Sequence, residues 1–207
     1  MYKNILFDLG GVVVDYAPRV FLVDLFANEA LEQQLYDISF GSEEWKLLDT
    51  GSITREEGND IMRKKAAAIG RGYEMEMILT DWADILRTKD DTMRLMKRLR
   101  QNGYKLYYLS NIAADTLADL RQRHFWPLFS GGVASCEAHI AKPDSRIFIG
   151  TLRKFRLNPA ETIFIDDTTA NVIAAQESGI QALQFTSCTA LTHALKNLGI
   201  VTERHIS

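Results

Sequence analysis

Four short stretches carry residues that can do chemistry together. Asp8 stands in FDLGG, just ahead of Gly10 and Gly11. Ser110 and Asn111 stand in LSN, Lys142 in AKPD, and Asp166 and Asp167 in FIDDTTAN. In chain order these supply a carboxylate, a hydroxyl with an amide, an ammonium and a pair of carboxylates. Adjacent carboxylates repel one another unless a cation lies near them. A hard cation such as Mg²⁺ takes oxygen ligands and keeps several waters. Asp8, one of the paired acids and a backbone carbonyl would supply its protein ligands. Serine and lysine add donors for phosphoryl oxygens. The glycines after Asp8 permit a tight turn with N–H groups aimed at an anion. The inventory is what is needed to hold a phosphate and a divalent cation beside a nucleophilic aspartate. Each stretch alone is common. Their order is specific, as is the position of three of them at the end of an apolar run.

Those apolar runs are the elements that must present the chemistry. Lys3–Asp8, Lys105–Ser110 and Thr162–Asp166 each have an unbroken hydrophobic centre, as expected for a strand buried on both faces of a parallel sheet. Gly132–Ser135 and Gln181–Phe185 are weaker strand candidates. Helical patterns alternate with them over Thr92–Gln101, Arg146–Phe155, Ala170–Ser178 and Thr189–Leu198, with stops at Asn102-Gly103, Gly179 and Gly199. This alternation predicts an α/β fold, a Rossmann-like, doubly wound parallel sheet. Between the first two strands the alternation breaks into consecutive helices: Val20–Ala27, Leu31–Ile38, Glu43–Leu48, Thr54–Ile69 and Glu74–Leu86. The run Thr54-Arg55-Glu56-Glu57 fits a capping box. An insertion at that point lands above the carboxyl edge of the sheet, where such folds bind ligands. Residues 16–89 are therefore expected to form an inserted α-helical cap subdomain, and residues 1–15 and 90–207 the core.

Composition narrows the function classes. The chain has 207 residues, 46% hydrophobic and 25% charged, which suits one substantial globular core with a small insertion. A net charge of −3 leaves no electrostatic footprint for nucleic acid. Cys136 and Cys188 form neither a metal-ligand pattern nor a disulfide framework, and read as buried thiols. The N-terminal apolar stretch is interrupted by Asp8 and does not read as a signal peptide. No segment reads as a membrane span. A cytoplasmic location is the expectation, with no membrane partner and a monomeric or homodimeric state.

With these motifs in place, the chain resembles the haloacid dehalogenase-like hydrolase superfamily, in the branch with a helical cap inserted after the first motif. The resemblance covers nearly the whole chain. It implies that Asp8 is the nucleophile and that Ser110, with Asn111, holds the phosphoryl oxygens. Lys142 neutralises nucleophile and phosphate, and Leu9 and Gly10 lie against the phosphate in the same turn. Asp167 would bind Mg²⁺ directly with Asp8 and the Gly10 carbonyl, and Asp166 would stand behind it. The implied reaction on a small phosphorylated metabolite, such as a sugar phosphate, is two-step phosphoryl transfer through an aspartyl-phosphate.

The sequence departs from that pattern at one position. Phosphatases of the superfamily usually carry a second Asp two places after the nucleophile, as general acid and base, and here that residue is Gly10. Positioned acid–base catalysis is worth roughly 10²–10⁴-fold. Substrates with good leaving groups, such as aryl, acyl or anomeric sugar phosphates, are expected to suffer least. Asp15 could substitute for the missing acid, or be a hinge or turn residue. Two other functions use the same nucleophile. A 2-haloacid dehalogenase needs no metal and does not keep the acid pair. A non-catalytic protein could bind phosphate without turnover. Arg19 and Lys46 are candidates to meet a distal anionic group. Trp45 and Trp82 could stack on a substrate or pack between helices. Phe125-Trp126-Pro127 reads as an apolar anchor, Lys64-Lys65 as a solvated helix face, and His124, His139, His193 and His205 as ordinary surface or helix-end residues.

Overall fold

The computed structural model describes residues 1–203, so His205 lies outside the described residues. Five parallel strands run β1 (Asn4–Phe7), β2 (Lys105–Ser110), β3 (Gly131–Ala134), β4 (Thr162–Asp166) and β5 (Gln181–Gln184), in spatial order β3-β2-β1-β4-β5. The order reverses at β1, between β2 on one side and β4 on the other. A crevice opens at the carboxyl ends of strands at such a reversal.

Side-chain alternation explains why the centres of β1, β2 and β4 are apolar at every position. Ile5, Phe7, Leu106, Tyr108, Ile163 and Ile165 face one layer of core. Leu6, Tyr107, Leu109 and Phe164 face the other. Successive strand residues point to opposite faces, so a strand covered on both sides needs hydrophobic residues at every position. On the first face lie α6 (Asp90–Gln101) and α11 (Cys188–Asn197); on the second lie α9 (Ser145–Phe155) and α10 (Thr169–Glu177). Helix α6 buries Thr92, Leu95, Met96 and Leu99, one stripe at helical spacing, and places Asp90 and Asp91 in its first turn and Arg98 and Arg100 in its last. That charge order complements the helix dipole.

The insertion holds α1 (Pro18–Phe26), α2 (Glu29–Ile38), α3 (Glu43–Asp49), α4 (Arg55–Ala68) and α5 (Gly72–Asp81). Both bonds of the Thr54–Glu57 capping box form at the start of α4. The last expected helix, Glu74–Leu86, breaks at Trp82 into a 3₁₀ turn over Trp82–Ile85. There Trp82 meets Trp45 edge-on, with ring centroids 5.1 Å apart. The two ends of the insertion run side by side: Asp15 N–H donates to the Arg87 carbonyl at 2.8 Å and Lys89 N–H to the Val13 carbonyl at 2.9 Å. Two short helices, α7 (Ala114–Leu120) and α8 (Ser135–Ala138), were not expected from periodicity. Phe125 is fully buried and Trp126 packs on Tyr108 and Phe129, so that segment is an apolar anchor.

Candidate active site

Strand ends bring the four motifs together. Asp8 directly follows β1, and its N–H donates to the Ile165 carbonyl of β4 at 2.9 Å. Ser110 closes β2 and Asp166 closes β4. Lys142, from the loop before α9, reaches between them, with Nζ 3.0 Å from Asp8 Oδ1 and 2.6 Å from Asp166 Oδ2. Asp8, Asp166 and Asp167 each offer an oxygen within 4.8 Å of the others.

Each partner is fixed by its own contacts. Asn111 donates through Nδ2 to the Lys142 carbonyl at 2.9 Å and accepts from the Lys142 N–H at 2.8 Å. Both ends of its carboxamide thus clamp the lysine's backbone, although it also borders the cavity. Asp166 is fully buried and accepts from Lys142, the Thr168 N–H and the Asn171 amide, so neither of its oxygens is left free. Asp167 turns its carboxylate toward the glycine turn, where a Cβ on Gly11 would overlap it. Gly11 has φ of +75°. The Leu9 N–H donates to Asp8 Oδ1 at 2.7 Å, and the Leu9 side chain is buried in the core.

The electrostatics are dominated by crowded acids. Burial pushes the Asp8 carboxyl up to about 7; Lys142 opposes this, Asp166 adds to it, and a hydrogen bond from Ser110 opposes it. Asp167 is also raised, by desolvation and by Asp166 beside it. Burial alone would lower the Lys142 ammonium, but Asp8 and Asp166 together outweigh it and hold it above its ordinary value. One ammonium faces three carboxylates. The donors are all oxygens and the excess charge is negative, so the site fits a hard divalent cation such as Mg²⁺.

These groups border a cavity of about 190 Å³. It is lined by Asp8, Gly10, Ser110, Lys142 and Asp167 from the sheet and its loops, and by Trp45, Asp49, Arg55 and Trp82 from the insertion. Arg55, from the first turn of α4, forms a two-bond ion pair with Asp115 of α7, Nε to Oδ2 at 2.8 Å and Nη2 to Oδ1 at 3.2 Å. Its guanidinium lies over both tryptophan rings, 4.9 and 4.8 Å from their centroids. Arg55 Nη1 is buried and has no hydrogen-bond partner among the described residues.

Several expectations about side residues are corrected or resolved. Arg19 bonds Gln33 and covers Tyr36, and Lys46 pairs with Glu43; neither borders the cavity. The cavity's extra cation is Arg55 instead. Asp15 pairs with Lys89 at 2.6 Å in the neck of the insertion and does not border the cavity. The tryptophans pack on each other, as expected of residues between helices, and both also border the cavity. Sequence reasoning missed Asp49 and Arg55. The one available signal was their place beside a helix end, Asp49 at the last residue of α3 and Arg55 at the first of α4.

Comparison with known proteins identifies the family. The profile of the haloacid dehalogenase-like hydrolase family matches residues 2–179. The sesquiterpene phosphatase astK of Aspergillus oryzae is 31% identical over 201 residues, covering 95% of this chain and 96% of its own. D-ribitol-5-phosphate phosphatase of Bacteroides thetaiotaomicron is 26% identical over 208 residues, covering 89% of this chain and 92% of its own. A haloacid dehalogenase family enzyme, bt-2542 from Bacteroides thetaiotaomicron, solved with magnesium and inorganic phosphate, superposes with a TM-score of 0.69 at 26% identity, over 89% of this chain and 94% of that one. Among the described residues no helix is long and apolar enough to cross a membrane. On the strand-end motifs, the fold and the near full-length match, this chain belongs to the haloacid dehalogenase-like hydrolases.

Proposed function

We propose that the protein is a Mg²⁺-dependent phosphatase that hydrolyses small phosphomonoesters through an aspartyl-phosphate on Asp8. The observation that carries this reading is the convergence of Asp8, Lys142 and Asp167 on the wall of one small cavity, with Asp166 buried beside them and paired with Lys142. Asp8 attacks phosphorus, and Lys142 offsets charge on nucleophile and phosphoryl group. Ser110 donates to a phosphoryl oxygen. Asn111 holds the Lys142 backbone, and Asp166 orients its ammonium. Mg²⁺, held by Asp8, the Gly10 carbonyl and Asp167, would neutralise negative charge on the transferring phosphoryl group. Residues 16–89 act as the cap over this site.

The cavity volume of about 190 Å³ favours a small organic group. Its wall is largely apolar, with Val14, Leu86 and the two tryptophans, and Arg55 and Asp49 are its charged points on the cap side. A sugar phosphate would use those charged points; an apolar alcohol would use the rest. The two phosphatase relatives named above act on one of each kind. A dehalogenase needs no acid cluster for a metal, so the Asp166–Asp167 pair supports phosphate chemistry.

The test is hydrolysis of para-nitrophenyl phosphate by purified protein, with Mg²⁺ and with chelator, beside Asp8→Asn. Turnover that needs Mg²⁺ and is lost in the variant is the expected result. Turnover that survives the substitution would remove Asp8 from the mechanism.

A further inference from the structure

The reaction needs a proton donor for the leaving oxygen and a base for water, and Gly10 provides neither. The cavity wall narrows the search for a replacement. Its titratable groups are Asp8, Tyr16, Asp49, Arg55, Lys142 and Asp167. Asp8 is the nucleophile and Lys142 is bound between two acids. Asp167 belongs to the acid cluster. Arg55 is a permanent cation. Burial, then Asp49 and Tyr36 nearby, drive the Tyr16 phenol well above its ordinary value, which suits it poorly as a base. Asp49 remains.

Its placement suits the task. In an in-line displacement the leaving oxygen departs on the side of phosphorus away from Asp8, and the water of the second step enters from that same side. Asp49 comes from the cap, at the last residue of α3, and lines the same cavity as Asp8, Lys142 and Asp167. Its backbone is anchored to the core, because the Ser135 hydroxyl donates to the Asp49 carbonyl and itself accepts from the Ile112 N–H at 2.9 Å. No hydrogen bond to its carboxylate is found among the described residues, which leaves that group free for a ligand.

We propose that Asp49 is the general acid and base of this site, supplied by the cap in place of the residue missing at Gly10. The proposal rests on the Asp8-phosphatase reading. In the first step the Asp8–phosphorus bond forms and the ester P–O bond breaks, with the Asp49 proton passing to the departing oxygen to release the alcohol. In the second step water bonds to phosphorus, the Asp8–phosphorus bond breaks, and the water proton passes to the Asp49 carboxylate, releasing inorganic phosphate. The surroundings allow both protonation states near neutrality. Burial pushes Asp49 up to about 7; Arg55 of α4 opposes this, Asp8 of the core and Asp115 of α7 add to it, and Lys142 opposes it. Tyr16 stands beside the same group. With this acid in place, the enzyme is not confined to activated esters.

The experiment compares wild type, Asp49→Asn and Asp8→Asn on para-nitrophenyl phosphate and on an alkyl phosphate, with Mg²⁺. Asp49→Asn keeps the shape of the side chain and the backbone carbonyl that Ser135 uses. It should lose roughly 10²–10⁴-fold in kcat/KM on the alkyl ester, which needs the proton. On the aryl ester it should release about one equivalent of nitrophenolate in a burst and then turn over slowly, because the base for water is gone. The burst also shows that the variant's nucleophile is intact. The wild-type alkyl profile should fall above a pH of about 7, and that limb should vanish in the variant. An unchanged alkyl-to-aryl ratio with no burst would overturn the role of Asp49 while leaving the phosphatase reading intact. A wild type inert toward both esters would overturn the phosphatase reading, and Asp49's role with it.

Discussion

Gly11 shows how narrowly the site is set at the scale of single residues. Its backbone lies in the left-handed region, and its missing side chain leaves the room that the Asp167 carboxylate takes. Gly11→Ala would cost about 1–2 kcal/mol in backbone strain alone. It would also push Asp167 out of the acid cluster, so the Mg²⁺ concentration for half-maximal activity should rise at least about tenfold, given the energy of one displaced ligand interaction. Denaturant unfolding and a Mg²⁺ titration would check the two effects, and an unchanged Mg²⁺ dependence would contradict the packing argument. Asp8, Ser110, Lys142 and the acid pair were legible in sequence because each sits in a short local motif, most at the end of an apolar strand. Asp49 was not legible. Its surroundings come from α4, α7 and the turn after β1, which are distant in sequence, and its place at a helix end is a signal that many aspartates share. Arg19 and Lys46 were misread for the same reason: charge is visible in sequence, but direction is not.

At the scale of elements, the helices of the insertion were readable from apolar spacing and caps, since local hydrogen bonding decides where they begin. The helices α7 and α8 were too short to show a period. The break at Trp82 coincides with the packing of one indole against another, a tertiary contact that no local propensity reports. Arg55 links α4 to α7 and covers both indoles. The ion pair is partly open to solvent on the Asp115 side, so screening limits its worth. Cation–π contact adds roughly 0.5–2 kcal/mol. Arg55→Gln should therefore lower the melting temperature by only a few degrees, about what 1 kcal/mol produces in a chain of this size. Because the same side chain borders the cavity and has an unbonded Nη1, KM should rise about tenfold or more, as expected for one lost charged hydrogen bond. A KM left at the wild-type value would mean that Arg55 serves only as a strut.

For the whole molecule, the acid cluster ties folding to pH and to metal. Asp8 and Asp49 both titrate at about 7 in the folded state, against 3.8 ordinarily. Between those values the folded chain holds more protons than the unfolded chain, so stability falls as pH rises through that window. Without metal, the melting temperature should be lower at about pH 8 than at about pH 5. Mg²⁺ should raise it more at the higher pH, because it binds the ionised form. Thermal melts at both pH values, with Mg²⁺ and with chelator, test this; a metal-free protein that grows more stable toward pH 8 would refute it. Asp8→Asn should flatten the slope. The architecture itself was the most legible level, since three apolar runs and two weaker strand candidates alternating with helices leave few topologies other than a parallel sheet covered on both faces. The paired backbone at Val13–Asp15 and Arg87–Lys89 has a consequence of another kind. Both ends of the helical block leave the sheet at one narrow neck, so the sheet registers only the short span between those two segments. Whole blocks of different length and composition could be exchanged there by recombination without moving a strand. Selectivity and catalytic scaffold could then evolve as separate cassettes, and if the acid–base residue travels with the cassette, part of the chemistry travels too.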